Sequence, residues 1–231
     1  MCGRYLIDDE AFDIREIIAA AERNANDLRG GIAAGDRAAA GAGNAAGDRS
    51  ITDDGVTTPP LPAFRYGEVF PGSIAPIVTA GHGARFMLWG FPNLMAGKQP
   101  LINARSETAA EKRTFSDAMA SRRCLVPASG YYEWKSLGKN RKEKYEFTLP
   151  GRTPMYMAGI YTQGNQFAIL TRAASPSVAC IHDRMPVILS KTQGGVWLNE
   201  TMDVIREALT ELQLRFIPGK DDRLVQMSMY T

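Results

Sequence analysis

The sequence predicts an α+β fold dominated by antiparallel sheet, and three observations carry that expectation. Six short runs rich in β-branched and aromatic residues, "GEVFPGSIAPIVTA", "ARFMLWGFP", "RCLVPASGYYEWK", "KYEFTL", "MYMAGIYT" and "QFAILTRAA", are bounded by Gly, Pro or Asn, as strands are. Helical apolar spacing is confined to the N-terminal stretch, one segment between strands and a stretch near the C-terminus. These helices do not alternate regularly with the strands, which argues against a parallel βαβ sheet. The 231 residues, 45% of them apolar, suffice for one domain over 1–231 with its own core.

The elements follow in order. "DDEAFDIREIIAAAER" reads as a first helix: Phe12, Ile14, Ile17, Ile18 and Ala21 share a face, and Asp8 or Asp9 supplies the N-cap. The next stretch, about residues 24–62, is rich in Ala, Gly, Asp and Asn, with single scattered aliphatics and no period. It offers too little apolar area to offset its ordering entropy, so it is expected to be a flexible insertion. The strand runs come next, with "EWKSLGKNRKEKYEF" forming a hairpin whose tip is polar and basic. Within "SETAAEKRTFSDAMASRR", Thr108 and Glu111 have capping-box spacing, which predicts a helix to about Arg122. A last helix is expected in "ETMDVIREALTELQ", where Val204, Ile205, Ala208, Leu209 and Leu212 align.

Composition narrows the function classes. No apolar run approaches the roughly 18–20 residues of a membrane span. The N-terminus has Asp8, Asp9 and Glu10 in place of a basic-then-apolar leader, so a cytoplasmic protein is expected, without a membrane partner. Three cysteines at unpaired spacings indicate neither a disulfide framework nor a metal site. The net charge of +2 makes any nucleic-acid surface a local one.

The residues able to carry chemistry are few. The chain begins "MCGRY", and removal of Met1 would leave Cys2 with an α-amine and a thiol on adjacent carbons. An unimportant, loosely held terminus explains the same residues. Of the two histidines, His82 lies in a Gly-flanked turn, where exposure is expected. His182, in "ACIHDRMPVIL", is either a structural histidine or a proton carrier, with Asp183 and Arg184 pairing locally or orienting its loop. Glu133, in "SGYYEWK", shares a strand face with Tyr131 and Lys135. It lies at a solvated surface, or in a pocket where desolvation raises its pKa as a general acid requires. Asn103 and Arg105, in "LINARSET", share a face and suit an anionic or carbonyl ligand, or a surface pair. Cys124 and Cys180, in apolar surroundings, are expected to be buried and inert. No cofactor is implied.

"MCGRY", "INARSET", "PASGYYEW" and "IHDRMPVIL", in this order and at these separations, closely resemble the SRAP family, the SOS-response-associated peptidase domain. The resemblance spans nearly the whole chain outside the insertion. It implies antiparallel sheets forming an open, barrel-like core with flanking helices, and a basic cleft for single-stranded DNA containing abasic sites. It implies that Cys2 crosslinks the lesion as a thiazolidine, with some lyase activity and crosslink reversal, and that Asn103, Glu133 and His182 line the site. Arg4 and Arg105 match phosphate-binding arginines, and Thr171 matches a cleft threonine near the histidine. A monomer, associated with the nucleoid when bound to DNA, is expected. Two departures stand out. "GEVFPG" replaces the family's "YNVAP", and "WGFPNLMAGKQP" offers Leu94 and Met95 where tryptophans usually wedge between bases. Rival readings are an N-terminal-nucleophile amidohydrolase, a thiol peptidase using Cys2, His182 and Glu133, and a non-enzymatic single-strand-binding module.

Overall fold

The computed structural model describes residues 2–35, 64–93, 97–139, 141–201 and 215–218. Its strands are β1 (Arg4–Ile7), β2 (Gly67–Val69), β3 (Ile74–Thr79), β4 (Gly83–Trp89), β5 (Asn103–Arg105), β6 (Arg123–Ala128), β7 (Gly130–Ser136), β8 (Lys142–Thr148), β9 (Met155–Tyr161), β10 (Gln166–Ala173), β11 (Arg184–Pro186), β12 (Ile188–Leu189) and β13 (Arg215–Pro218). The helices are α1 (Phe12–Gly35), α2 (Ser116–Ser121), α3 (Pro176–Ala179) and α4 (Lys191–Asn199).

One sheet has the order β13-β8-β7-β1-β2. In the other, β10, β4, β3, β6 and β9 follow one another, and a β9–β10 pairing closes them into a ring. Only β10–β4 and β10–β5 are parallel, so the α+β, mainly antiparallel and barrel-like expectation holds.

Ring strands are apolar on both faces because both are covered, which is why they read as continuous apolar runs. Along β6, Cys124, Val126 and Ala128 join a core shared with Tyr5 and Ile7 of β1, Ile14 and Ile18 of α1, and Tyr131 and Phe147 of the β7–β8 hairpin. Leu125 points the other way, into a second core with Met119 of α2 and Trp197 of α4. The same period-two division separates Met155 and Met157 from Tyr156 and Ala158 on β9.

Several local expectations are corrected. Helix α1 runs on to Gly35, well into the stretch expected to be flexible, and Asn24 Nδ2 donates to the Ala84 carbonyl at 2.8 Å. Residues 36–62 of that stretch lie outside the described residues. So do Leu94, Met95 and most of the C-terminal stretch 200–213. The capping-box spacing of Thr108 and Glu111 misleads: residues 106–115 form turns, and helix begins only at Ser116. There the carbonyl of Thr108, not its hydroxyl, accepts from Glu111 and Lys112, while Phe115 is anchored edge-on against Phe91. Cys180 is exposed rather than buried, while Cys124 is buried as expected.

Strand β1 and helix α4 were not legible locally. Helix α4 carries a complete capping box, Ser190 with Gln193, but its Gly194–Gly195 pair depresses helix propensity. Tertiary packing explains Gly194, since a Cβ there would lie 2.9 Å from Leu125 Cδ1.

Gly130 begins the strand that carries Glu133. A Cβ at this position would lie 2.9 Å from the Phe147 carbonyl oxygen and 3.2 Å from Thr148 Cγ2. Gly130→Ala is therefore expected to destabilise the protein by about 1–3 kcal/mol, the usual cost of overpacking. Urea unfolding measures it, and an unchanged midpoint would mean that the hairpin backbone yields without cost.

Candidate active site

Three strand connections bring distant residues to one place. Strand β1 is gripped on both sides, Tyr5 pairing with Val69 of β2 and with Tyr131 of β7. This pins the preceding Cys2 against the core, where it is fully buried. Strand β5 lies parallel to β10, with Asn103 opposite Ile169 and Arg105 opposite Thr171. From there Asn103 Nδ2 donates to the Cys2 carbonyl at 2.8 Å, tying two segments 101 residues apart. The turn between α3 and β11 presents His182, whose Nε2 lies 3.9 Å from Glu133 Oε2. Asn103 thus meets Cys2, His182 meets Glu133, and the charge of Glu133 acts on the Cys2 thiol. Asn103 Oδ1 is buried there with no partner among the described residues.

Glu133 resolves its two sequence readings in favour of a pocket, being only 2% exposed. Burial pushes its carboxyl up to about 7, and Asp183 adds to the shift. The chain's α-ammonium group and the Trp134 backbone pull it back. A carboxyl there exchanges protons readily near neutral pH. The Cys2 thiol donates to the Arg4 carbonyl at 3.5 Å. Burial, then the charge of Glu133, pushes it far above the ordinary thiol range, so at rest it is protonated.

His182 is pushed down, by burial first and then by the α-ammonium group, while Asp183 and the Arg184 backbone oppose the shift. Its Nδ1 accepts the Arg184 backbone N–H at 3.0 Å. In the neutral ring this hydrogen bond favours the proton on Nε2, facing Glu133. Asp183 Oδ1 at 3.0 Å and the Arg184 carbonyl at 3.2 Å stand ready for an Nδ1 proton once the ring is charged.

The expected DNA-contacting residues are less uniform. Arg105 is exposed, and its guanidinium makes no hydrogen bond or ion pair with the described residues. Arg4 is partly exposed: its guanidinium lies 4.5 Å from the Phe70 ring centre and 5.1 Å from that of Trp134, and 3.4 Å from Glu68. Lys144, which also pairs with Glu68, sits 3.9 Å over the Tyr132 ring. This cationic and aromatic surface was hidden in the hairpin's general basicity. Thr171, by contrast, is fully buried: its hydroxyl donates to the Ala104 carbonyl at 3.5 Å and accepts from Arg184 Nη2 at 3.3 Å. His82 is exposed in its turn, as expected.

Sequence reasoning missed Glu107. It lies inside the "NARSET" motif and holds the Arg184 guanidinium with both oxygens. Arg184 thus pairs with this distant acid, not with its neighbour Asp183, which is 87% exposed. Among the described residues no three His, Cys, Asp or Glu side chains cluster as a metal site requires, and no helix is long and apolar enough to cross a membrane.

Residues 1–227 match the family described as SOS response associated peptidase (SRAP). Over 107 residues the chain is 38% identical to the abasic site processing protein YobE of Bacillus subtilis, covering 43% of this chain and 49% of that protein. Over 121 residues it is 34% identical to the abasic site processing protein YedK of Escherichia coli, covering 49% and 54%. With the abasic site processing protein HMCES of Gallus gallus it shares 29% identity over 136 residues, covering 46% and 40%. The matches span about half the length of these curated relatives. A crystal structure of a Bordetella bronchiseptica protein is similar with a TM-score of 0.59 at 25% identity, covering 68% of this chain and 89% of that one. One from Bacteroides thetaiotaomicron gives 0.57 at 26% identity, covering 66% and 78%.

Proposed function

The chain belongs to the SRAP family, and from that premise we propose that it captures abasic sites in single-stranded DNA covalently, through Cys2 freed of Met1. The observation that carries this reading is the Asn103 amide on the Cys2 carbonyl, together with a buried Glu133 carboxyl whose charge acts on the Cys2 thiol and which His182 faces at 3.9 Å. The relatives named abasic site processing proteins point to the same lesion.

Hydrolysis of the Met1–Cys2 bond frees an amine with a reference pKa of about 7.7–8.0, substantially unprotonated near neutrality. The abasic deoxyribose opens to an aldehyde. The amine condenses with it, expelling water and forming an imine. Sulfur then adds to the imine carbon, and the proton it sheds ends on nitrogen, closing a five-membered thiazolidine. Both nucleophiles belong to one residue, so closure is intramolecular and benefits from high effective concentration.

The residues divide the work. Asn103 fixes the Cys2 backbone through its carbonyl, and its unpartnered Oδ1 is free to accept from the amine or the sugar. The resting sulfur is a thiol, so its proton must leave as it attacks. Glu133, with a carboxyl near 7, takes that proton and returns it to nitrogen. His182 presents Nε2–H to the opening sugar oxygen. The imine also acidifies the adjacent sugar carbon, so β-elimination accompanies crosslinking. A peptidase would need the Cys2 thiolate paired with His182. Among the described residues the thiol's hydrogen bond goes to the Arg4 carbonyl instead.

The test is incubation with a single-stranded oligonucleotide bearing one abasic site. A heat-stable adduct is expected, its mass the sum of Met1-free protein and oligonucleotide less one water. No adduct, or one mapped to a lysine, would overturn the reading.

Arg105, exposed and uncommitted, is assigned to the phosphate backbone. Arg105→Ala is expected to weaken binding to all single-stranded sequences alike and to reduce the salt-dependence slope by about 0.7, one contact's worth of released counterions. Fluorescence anisotropy across a salt series reads both. Weakening for one sequence only would mean that Arg105 reads a base.

A further inference from the structure

We propose that Glu107 is a positioning residue for His182: by clamping Arg184 it fixes that residue's backbone N–H on His182 Nδ1 and keeps the ring proton on Nε2, toward Glu133. The consequence for catalysis rests on the abasic-site reading above; the positioning itself does not.

The geometry is a strut across three strand ends. Glu107 follows β5, and its Oε1 and Oε2 accept from Arg184 Nη1 at 2.6 Å and Nη2 at 2.9 Å. Oε1 also accepts the Ala173 backbone N–H of β10 at 3.2 Å. Arg184 Nη2 donates in turn to the Thr171 carbonyl at 2.7 Å. The Arg184 side chain is only 13% exposed, although Glu107 is partly open to solvent. Fork-to-carboxylate pairing of this kind is directional as well as strong. Arg184's hydrogen bonds hold the Glu107 carboxyl down at about 2, so it is ionised throughout the neutral range.

The strut adds to a single backbone restraint on the Arg184 amide, the Ala174 N–H that donates to the Asp183 carbonyl of the same peptide at 3.0 Å. Strand β11 has three residues, of which Arg184 is the first and Pro186 has no N–H to give. It lies at the sheet edge, paired with β10 alone. Meanwhile Nδ1 of His182 is contested. The Arg184 N–H at 3.0 Å requires a bare nitrogen, whereas Asp183 Oδ1 at 3.0 Å and the Arg184 carbonyl at 3.2 Å favour a protonated one. Asp183 is 87% exposed and its pull is weakened by water. The clamped amide, closer to Nδ1 than the carbonyl of the same residue, then sets the neutral ring. The other charge facing His182 among the described residues is Glu133 from β7.

The chain has only two histidines, and exposed His82 serves as an internal control. Long-range proton–nitrogen NMR of histidine-labelled protein distinguishes the two neutral tautomers directly. In wild type above the titration range, His182 is expected in the Nε2–H form. In Glu107→Gln the amide accepts only one of the two guanidinium bonds, and in Arg184→Lys the fork is lost. Both are expected to show mixed tautomers and a shifted titration midpoint at His182, with His82 unchanged. Adduct formation by Glu107→Gln on abasic single-stranded DNA is expected to slow roughly tenfold, part of what general acid–base groups supply. An unaltered tautomer and midpoint in both folded variants, or an Nδ1–H tautomer in wild type, would overturn the proposal. Tautomer loss in the variants together with no adduct from wild type supports the positioning and overturns the abasic-site reading.

Discussion

A Cys2→Ala variant is expected to form no heat-stable adduct with abasic single-stranded DNA while keeping its noncovalent affinity within a few-fold. Phosphate contacts and stacking dominate single-strand affinity, and a buried thiol supplies neither. The substitution leaves the anchor in place, because Asn103 grips the backbone carbonyl of residue 2, not its side chain. The fold should lose only the burial of one atom, about 1 kcal/mol. The variant also keeps a reactive amine once Met1 is gone, so it can still form an imine with the sugar aldehyde. Without sulfur the ring cannot close, and the imine remains hydrolysable. Borohydride should therefore trap an adduct that heating without borohydride destroys. A heat-stable adduct mapped to another residue would falsify the thiazolidine assignment. Loss of single-strand binding alongside the adduct would instead place Cys2 in the binding surface.

What could be read in advance divides along the range of the interactions involved. Strands β3, β4, β6, β7, β8, β9 and β10 were legible because they are short runs of β-branched and aromatic residues bounded by Gly, Pro or Asn. Strand β1 was not: its four residues are stable as a strand only because β2 and β7 flank them, and those partners lie more than 60 and 120 residues away. Helix α1 outran its apolar stripe, and Thr108 looked like a cap although its neighbours fold as turns anchored through Phe115. The candidate site shows the same division. Motifs picked out Cys2, Asn103, Glu133 and His182, yet the 2.8 Å and 3.9 Å contacts that join them in two pairs exist only in three dimensions. The burial of Glu133 could not be decided from a strand in which either face would serve. The Glu107–Arg184 clamp was invisible because its members are 77 residues apart and Arg184 has a nearer acid, Asp183, to pair with.

Glu133→Gln is the substitution in which burial and chemistry make separable forecasts. The wild-type carboxyl is raised from its ordinary 4.5 to about 7 in the fold. The folded state then binds the proton more tightly than the unfolded chain does. This preference contributes stability that is fully present below about pH 4.5 and is lost as pH rises through about 7. Glutamine does not titrate, so the variant should gain on wild type in chemical denaturation as pH rises through that window and hold a constant advantage above it. A difference in stability that is flat across the window would mean that the carboxyl is not buried in solution. The chemical forecast has the opposite sign. Glutamine can still hydrogen-bond but cannot take a proton from sulfur and return it to nitrogen. General acid–base assistance is worth about 10²–10⁴-fold. The forward reaction conceals part of that loss, because an aldehyde and an aminothiol also combine unaided. Reversal must reopen a stable ring and has no such shortcut, so release of preformed adduct into excess competing abasic DNA should show the larger defect. The variant is thus expected to be more stable than wild type above pH 7 yet far slower to let go of the lesion. Equal release rates would remove Glu133 from the proton path and leave His182 to carry it, whatever the stability measurements show.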